Sequence, residues 1–210
     1  MLITRTVGAA TIIALPDAEG VFFQPRQAAF PTATAAHWQA ADRLDPAAVT
    51  ADARWRLHFR CFAIRLDDSV GGTGGGRVIL VDAGIGPADA PARTWAPVPG
   101  HLPEALAAAG IAPDDVDTVI LTHVHTDHVG WAVTGEPPTP YFRNARYLVQ
   151  RAEIEAIRRQ GAAGLAGWLL DPLAATGQLT AVDGDQRLAA GLSVVATPGH
   201  TPGHQSVLLE

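Results

Sequence analysis

A chain of 210 residues, 48% apolar and only 17% charged, is long enough for one domain with a sizeable core and too apolar for a disordered segment. Its net charge is −6, every basic residue is arginine, and no basic run occurs, which argues against nucleic-acid binding. The single cysteine, Cys61, excludes an internal disulfide, and no apolar stretch reaches the ~18–20 residues that span a bilayer. Thr4 and Arg5 interrupt any signal-peptide core, so a cytoplasmic location is the expectation.

Residues 2–15 are rich in β-branched side chains and predict a strand. From residue 16 to about 54, Pro16, Pro25, Pro31 and Pro46 break regular patterns. Phe22, Phe23, Phe30 and Trp38 make that stretch too apolar for a linker, so it predicts an arm or lid packed on the core. Residues 57–66 and 77–81 predict strands, with Cys61 a buried strand residue rather than a nucleophile. Residues 67–76, between them, are glycine-rich and predict a mobile hairpin loop. No Gly-Lys-Ser/Thr follows, which argues against a phosphate loop.

Asp82-Ala83-Gly84-Ile85-Gly86 ends the second of these strands in a tight turn. Residues 103–109 predict a helix, with proline at its start and Gly110 after its end. Residues 116–122 and 145–150 predict strands, and residues 152–159 and 165–170 helices. Residues 179–182 and 192–196 predict strands split by a turn at Asp183-Gly184-Asp185, and residues 205–209 a last one. Strands first, then strands alternating with helices, predict an α/β fold with helix-covered sheets. The chain reads as one domain over residues 1–210, with an N-terminal strand and arm at 1–56 and the core at 57–210.

Directly after the strand at 116–122 comes His123-Val124-His125-Thr126-Asp127-His128. About 0.0008 such windows are expected in a shuffled chain of this composition. Imidazole with carboxylate suits Zn, Fe, Mn or Co rather than Ca or Mg. Side chains alternate along an extended segment, so His123 and His125 point the same way and can grip one ion. Asp127 and His128, where the chain turns, can grip a second. Thr197-Pro198-Gly199-His200-Thr201-Pro202-Gly203-His204 also follows a predicted strand. His200 would complete a three-histidine set, the ligand number of a catalytic zinc. His204 reads as a supporting or packing residue rather than a ligand.

Together these two motifs resemble those of the metallo-β-lactamase-fold hydrolases, and Val81-Asp82-Ala83-Gly84 is similar to that family's strand-Asp-x-Gly turn. The resemblance runs from about residue 57 to 209. His128-Val129-Gly130-Trp131 and Gly203-His204-Gln205-Ser206 look most like the branch containing N-acyl-homoserine lactonases and methyl-parathion-hydrolase-like enzymes. It implies an αββα sandwich with metals at one edge. His123, His125 and His200 become ligands of a first metal, and Asp127 and His128 of a second. Asp82 becomes a brace for the metal loop, its role as a plain turn residue staying open. The family's bridging carboxylate and final histidine find no counterpart. The resemblance therefore implies a chain lacking the last strand and helix, with an open sheet edge and an exposed apolar face.

The implied activity is that of a metal-dependent hydrolase, zinc being the expected cofactor, with two ions in the full-length protein. A metal-bound hydroxide would attack an ester, lactone or related electrophile of a small-molecule substrate, and Asp127 would orient that nucleophile as well as bind metal. Neither tyrosine, Tyr141 or Tyr147, is assigned as the leaving-group acid. Two alternatives stay open: a non-catalytic metal-binding remnant, and a glyoxalase II-like thioesterase. Phe22, Phe23, Phe30, Trp38 and Trp131 together favour a hydrophobic acyl or aromatic substrate.

Overall fold

The computed structural model describes residues 2–66, 76–161 and 163–210. Strands β1 (Thr4–Val7) and β2 (Ala10–Val21) form an antiparallel hairpin, so the single strand expected over residues 2–15 is two strands turning at Gly8. A run of β-branched residues signals extended backbone, and the reversal within it rests on Gly8 alone, which supplies the positive φ of the turn. Nor does Pro16 end β2: the strand continues to Val21 through a register shift between Pro16 and Ala18, a bulge that accommodates the missing N–H.

Next come β3 (Arg56–Leu66) and β4 (Arg77–Val81), antiparallel to each other, with Cys61 fully buried in β3. The glycine-rich loop expected between them lies, for residues 67–75, outside the described residues. Beyond β4 the chain switches to parallel pairing. Strand β5 (Val116–Ile120) is followed by a two-strand ribbon, β6 (Val133–Thr134) with β7 (Thr139–Pro140), and then by β8 (Arg146–Gln150) and β9 (Leu179–Val182). The large sheet runs β1-β2-β3-β4-β5-β8-β9. A second, antiparallel sheet contains β10 (Gln186–Ala189), β11 (Leu192–Ala196) and β12 (Gln205–Leu209). Strand β10 was not expected; its Gln-Arg-Leu-Ala sequence has too short an apolar pattern to declare itself.

Among the described residues five α-helices accompany the strands: α1 (Arg26–Ala29), α2 (Ala35–Leu44), α3 (Leu102–Ala108), α4 (Arg151–Arg159) and α5 (Asp171–Ala175). The helix expected at 165–170 is a π-helical turn, Ala166–Leu170, that runs into α5. On one face of the large sheet Leu80, Val119 and Leu121 pack against Leu106, Ile157 and Leu169. On the other face Ile64, Ile79 and Ile120 pack against Leu192 and Val194 of the small sheet. The layers are therefore helix, sheet, sheet. The central strands β4 and β5 are buried on both faces, which explains their unbroken apolar runs. Among the described residues, no helix is long and apolar enough to cross a membrane.

The proline-broken stretch forms an arm built on α1 and α2. Thr34 caps α2: its hydroxyl accepts from the His37 N–H at 3.3 Å, and His37 Nδ1 accepts from the Thr34 N–H at 3.2 Å. Arg26 pairs with Asp42 and lies 4.8 Å over the Trp38 ring. Phe30 packs between Trp38 and Trp55, and Phe22 between Trp55 and Trp95. This aromatic chain ties the arm to the core.

Candidate metal centre

Parallel strands β4 and β5 end side by side, and both of their trailing loops open at that edge, where α/β folds place their sites. Asp82, the first residue after β4, has φ 61°, an uncommon conformation that short polar side chains tolerate best. It folds the turn back so that its carboxylate accepts from the Thr122 N–H at 2.8 Å and from the Thr122 hydroxyl at 2.9 Å. The residues after the histidine motif are zipped onto the same turn: Ala83 N–H donates to the His128 carbonyl, and Gly130 N–H to the Gly84 carbonyl, each at 2.7 Å. The motif is thus held at both ends.

Within it, His123 Nε2 lies 3.1 Å from His125 Nδ1, and His200 Nε2, from the loop between β11 and β12, lies 3.1 Å from the same atom. The three imidazoles offer ligand atoms all within 4.8 Å of one another. Burial, then the neighbouring His128, His125 and His200, push His123 down to about 3. His125 is lowered by burial and by His200. Neutral rings whose lone pairs converge are the form in which histidine binds a metal, and three of them fit a zinc-type cation.

His128 stands beside this trio, its ring centroid 4.1 Å from that of His123. Its Nδ1 lies 2.8 Å from Asp82 Oδ2 and its Nε2 lies 3.4 Å from Asp127 Oδ2. Burial disfavours its charged form, but the Asp127 and Asp82 carboxylates more than offset that and push it up to about 10. Asp127 is raised by burial, yet the His128 ring outweighs this and holds it below the usual carboxylate range. So all five ligand candidates, and Asp82, meet at one edge in two contiguous clusters. His204 is the exception: its Nδ1 is 2.8 Å from the Thr197 hydroxyl, it lies outside the trio, and its ring centroid is 5.3 Å from that of His123.

Sequence reasoning missed three supporting residues. Glu153, 1% exposed in the first turn of α4, accepts from the Val124 N–H at 2.9 Å and from the Gly203 N–H at 3.0 Å. Gln205 donates to the carbonyls of Leu121 at 2.8 Å and Leu148 at 3.1 Å, pinning the start of β12 to the end of β5 and the middle of β8. Asp17, also 1% exposed, accepts from the Ile85 and Leu102 N–H groups and from the Trp131 indole. Of the five aromatics expected near the site, Phe22 and Phe23 pack on Trp95, whose indole donates to the Thr126 hydroxyl at 2.9 Å. Trp38 and Phe30 stay within the arm, and Trp131 packs on Tyr141.

The profile of the Metallo-beta-lactamase superfamily matches residues 70–210. An N-acyl homoserine lactonase from a Bacillus species is 33% identical over 105 residues, which are 50% of this chain and 37% of that protein. AttM, the N-acyl homoserine lactonase of Rhizobium radiobacter, is 35% identical over 112 residues, or 50% of this chain and 40% of that protein. The matched stretch thus spans well under two thirds of these relatives. Among solved structures, a probable metal-dependent hydrolase from Staphylococcus aureus superposes with a TM-score of 0.77 at 19% identity, over 98% of this chain and 70% of that one. AidC, a dizinc quorum-quenching lactonase solved with a product, superposes at 0.74 with 19% identity, over 100% of this chain and 70% of that one.

Proposed function

The chain belongs to the metallo-beta-lactamase superfamily, and on that premise we propose that it is a metal-dependent hydrolase that opens the lactone ring of an N-acyl-homoserine-type substrate. The observation that carries this reading is the convergence of His123, His125 and His200 beside Asp127 and His128 at the strand ends. Its support for lactones in particular comes from the curated relatives named as lactonases.

In this reading His123, His125 and His200 hold one ion and Asp127 with His128 a second, zinc being the first choice for such donors. A divalent ion bound there supplies Lewis acidity, acidifying water and polarising a carbonyl at neutral pH. The chain's own residues do the rest. Asp127 accepts a hydrogen bond from the attacking water and orients it. Asp82 fixes the His128 ring through Nδ1, which leaves Nε2 turned to the site. Phe22, Phe23 and Trp95, linked through Thr126 to the ligand motif, receive the apolar acyl chain.

Protein prepared without added metal should first be analysed for metal content, then assayed with N-acyl-homoserine lactones alongside thioesters and phosphotriesters. Lactone opening that a chelator abolishes and zinc restores is the expected result. Metal-loaded protein that turns over thioesters but no lactone would move the reading to a thioesterase. Protein that binds metal and turns over none of the three would overturn the hydrolase reading.

A further inference from the structure

We propose that Glu153 is a positioning residue that clamps the two histidine loops into one metal-binding frame. The proposal rests on the metal-site reading above and adds the part of the machinery that holds the ligands in register. His123 and His125 leave β5 on one loop; His200 leaves β11 on another, and they are far apart in sequence. One carboxylate, from a third element, bridges both loops. Glu153 Oε1 accepts from the N–H of Val124, the residue between His123 and His125, at 2.9 Å. Glu153 Oε2 accepts from the N–H of Gly203, three residues beyond His200, at 3.0 Å. Among the described residues neither amide has another acceptor.

Three features suit this side chain to that task. The two oxygens of a carboxylate are fixed relative to each other, so each loop's distance from the other is set by one rigid group, and hydrogen bonds to an ionised acceptor are about twice as strong as neutral ones. Glu153 is buried in the first turn of α4, where the helix N-terminus favours a negative charge. Gly203 lies flush on that turn: a Cβ there would overlap the Glu153 backbone, so the His200 loop is seated against α4 as well as tied to it. Both hydrogen bonds of the carboxylate go to main chain rather than to a ligand side chain, so it holds the loops through the backbone on either side of the ligands.

The test is Co(II) binding to wild type, Glu153→Gln and Glu153→Asp, read by competition with a chelator and by the visible absorption that reports coordination geometry. Leu106→Ala, a cavity in the core beneath α3, serves as the control for lost stability. Gln keeps the size but must turn an NH2 toward one of the two N–H groups; Asp keeps the charge but cannot reach both. We expect each variant to bind Co(II) 10–100-fold more weakly, the size of loss seen when outer partners of metal ligands are removed, with an altered spectrum, and Leu106→Ala to match wild type in both. Should Gln prevent folding, Asp alone gives the same reading. Variants that bind with wild-type affinity and spectrum, or that merely track Leu106→Ala, overturn the clamp. Wild-type protein that takes up no Co(II) overturns the metal-site reading instead, and the clamp with it.

Discussion

The Asp82 carboxylate reaches His128 Nδ1 at 2.8 Å while Asp127 stands 3.4 Å from the ring's other nitrogen. The contact fixes which nitrogen of His128 carries a proton when the ring is a ligand: Nδ1–H donates to Asp82, and the Nε2 lone pair is free. Asp82→Asn is the informative change, because asparagine tolerates the positive φ at this position and so preserves the turn. Zinc titration against a competing chelator should show the first equivalent, on His123, His125 and His200, binding as in wild type. The second, on Asp127 and His128, should weaken about 10–100-fold. Two equivalents both of wild-type affinity would mean that Asp82 is only a turn residue.

The candidate ligand cluster is legible in the sequence because most of its members are local. His123, His125, Asp127 and His128 lie within six residues, and strand alternation alone brings the first two together. The second loop was legible from its own motif, since Pro-Gly turns after a β-rich run announce a strand end. What escaped notice is set by contacts across the chain. Glu153 sits 29 and 50 residues from the amides it holds. Asp17 sits 68 and 85 residues from Ile85 and Leu102. A lone acid in a helix start or beside a proline has no periodicity to betray a buried partner, and its neighbours in sequence are not its neighbours in space. The β1–β2 turn escaped for the opposite reason: both strands share one composition, and Gly8, whose φ is 57°, is the single residue that marks the break.

Phe23 offers a test of where an apolar chain sits. It is 50% exposed, packs 5.9 Å from Trp95 between ring centroids, and through the Trp95–Thr126 hydrogen bond adjoins the ligand motif. A half-exposed aromatic ring joined through Trp95 and Thr126 to the candidate ligand motif has surface to give to a substrate. Phe23→Ala should cost about 1–2 kcal/mol of binding to a long acyl chain, which is roughly a 5- to 30-fold loss in kcat/KM. For a short-chain lactone the loss should be near zero. Equal losses for both chain lengths would place the acyl chain elsewhere.

Gly130 is where the motif's trailing end meets the Asp82 turn. Its N–H donates to Gly84, the next N–H, of Trp131, donates to Ala83 at 2.8 Å, and a Cβ on Gly130 would enter the Ile85–Gly86 backbone. That contact is with main chain, so no side chain can swing away to relieve it. Gly130→Ala should destabilise the fold by about 1–3 kcal/mol, at the upper end of that overpacking range. Urea unfolding should show a lower midpoint at unchanged slope. A midpoint equal to wild type would mean the two loops can part without cost.

Asp17 makes the pH dependence of stability testable. Burial, the largest influence, raises its carboxyl above the usual range, and the N–H groups of Ile85 and Leu102 with the Trp131 indole pull it down without cancelling that effect. An acid whose folded pKa is raised binds its proton more tightly in the native state than in the unfolded chain, where the value is about 3.9. Its contribution to stability is therefore fully present below about pH 3.9 and is lost as pH rises through the folded pKa. Asp17→Asn has no such dependence. The stability of wild type minus that of Asp17→Asn should fall as pH rises from about 3.9, by no more than about 1.4 kcal/mol per unit, and then level off. Hydrogen bonds that asparagine cannot replace shift this difference by a constant and leave its slope alone. Urea unfolding of both proteins across the acid range measures it. A difference that rises with pH would mean the hydrogen-bond donors around Asp17 stabilise its anion more than burial opposes it.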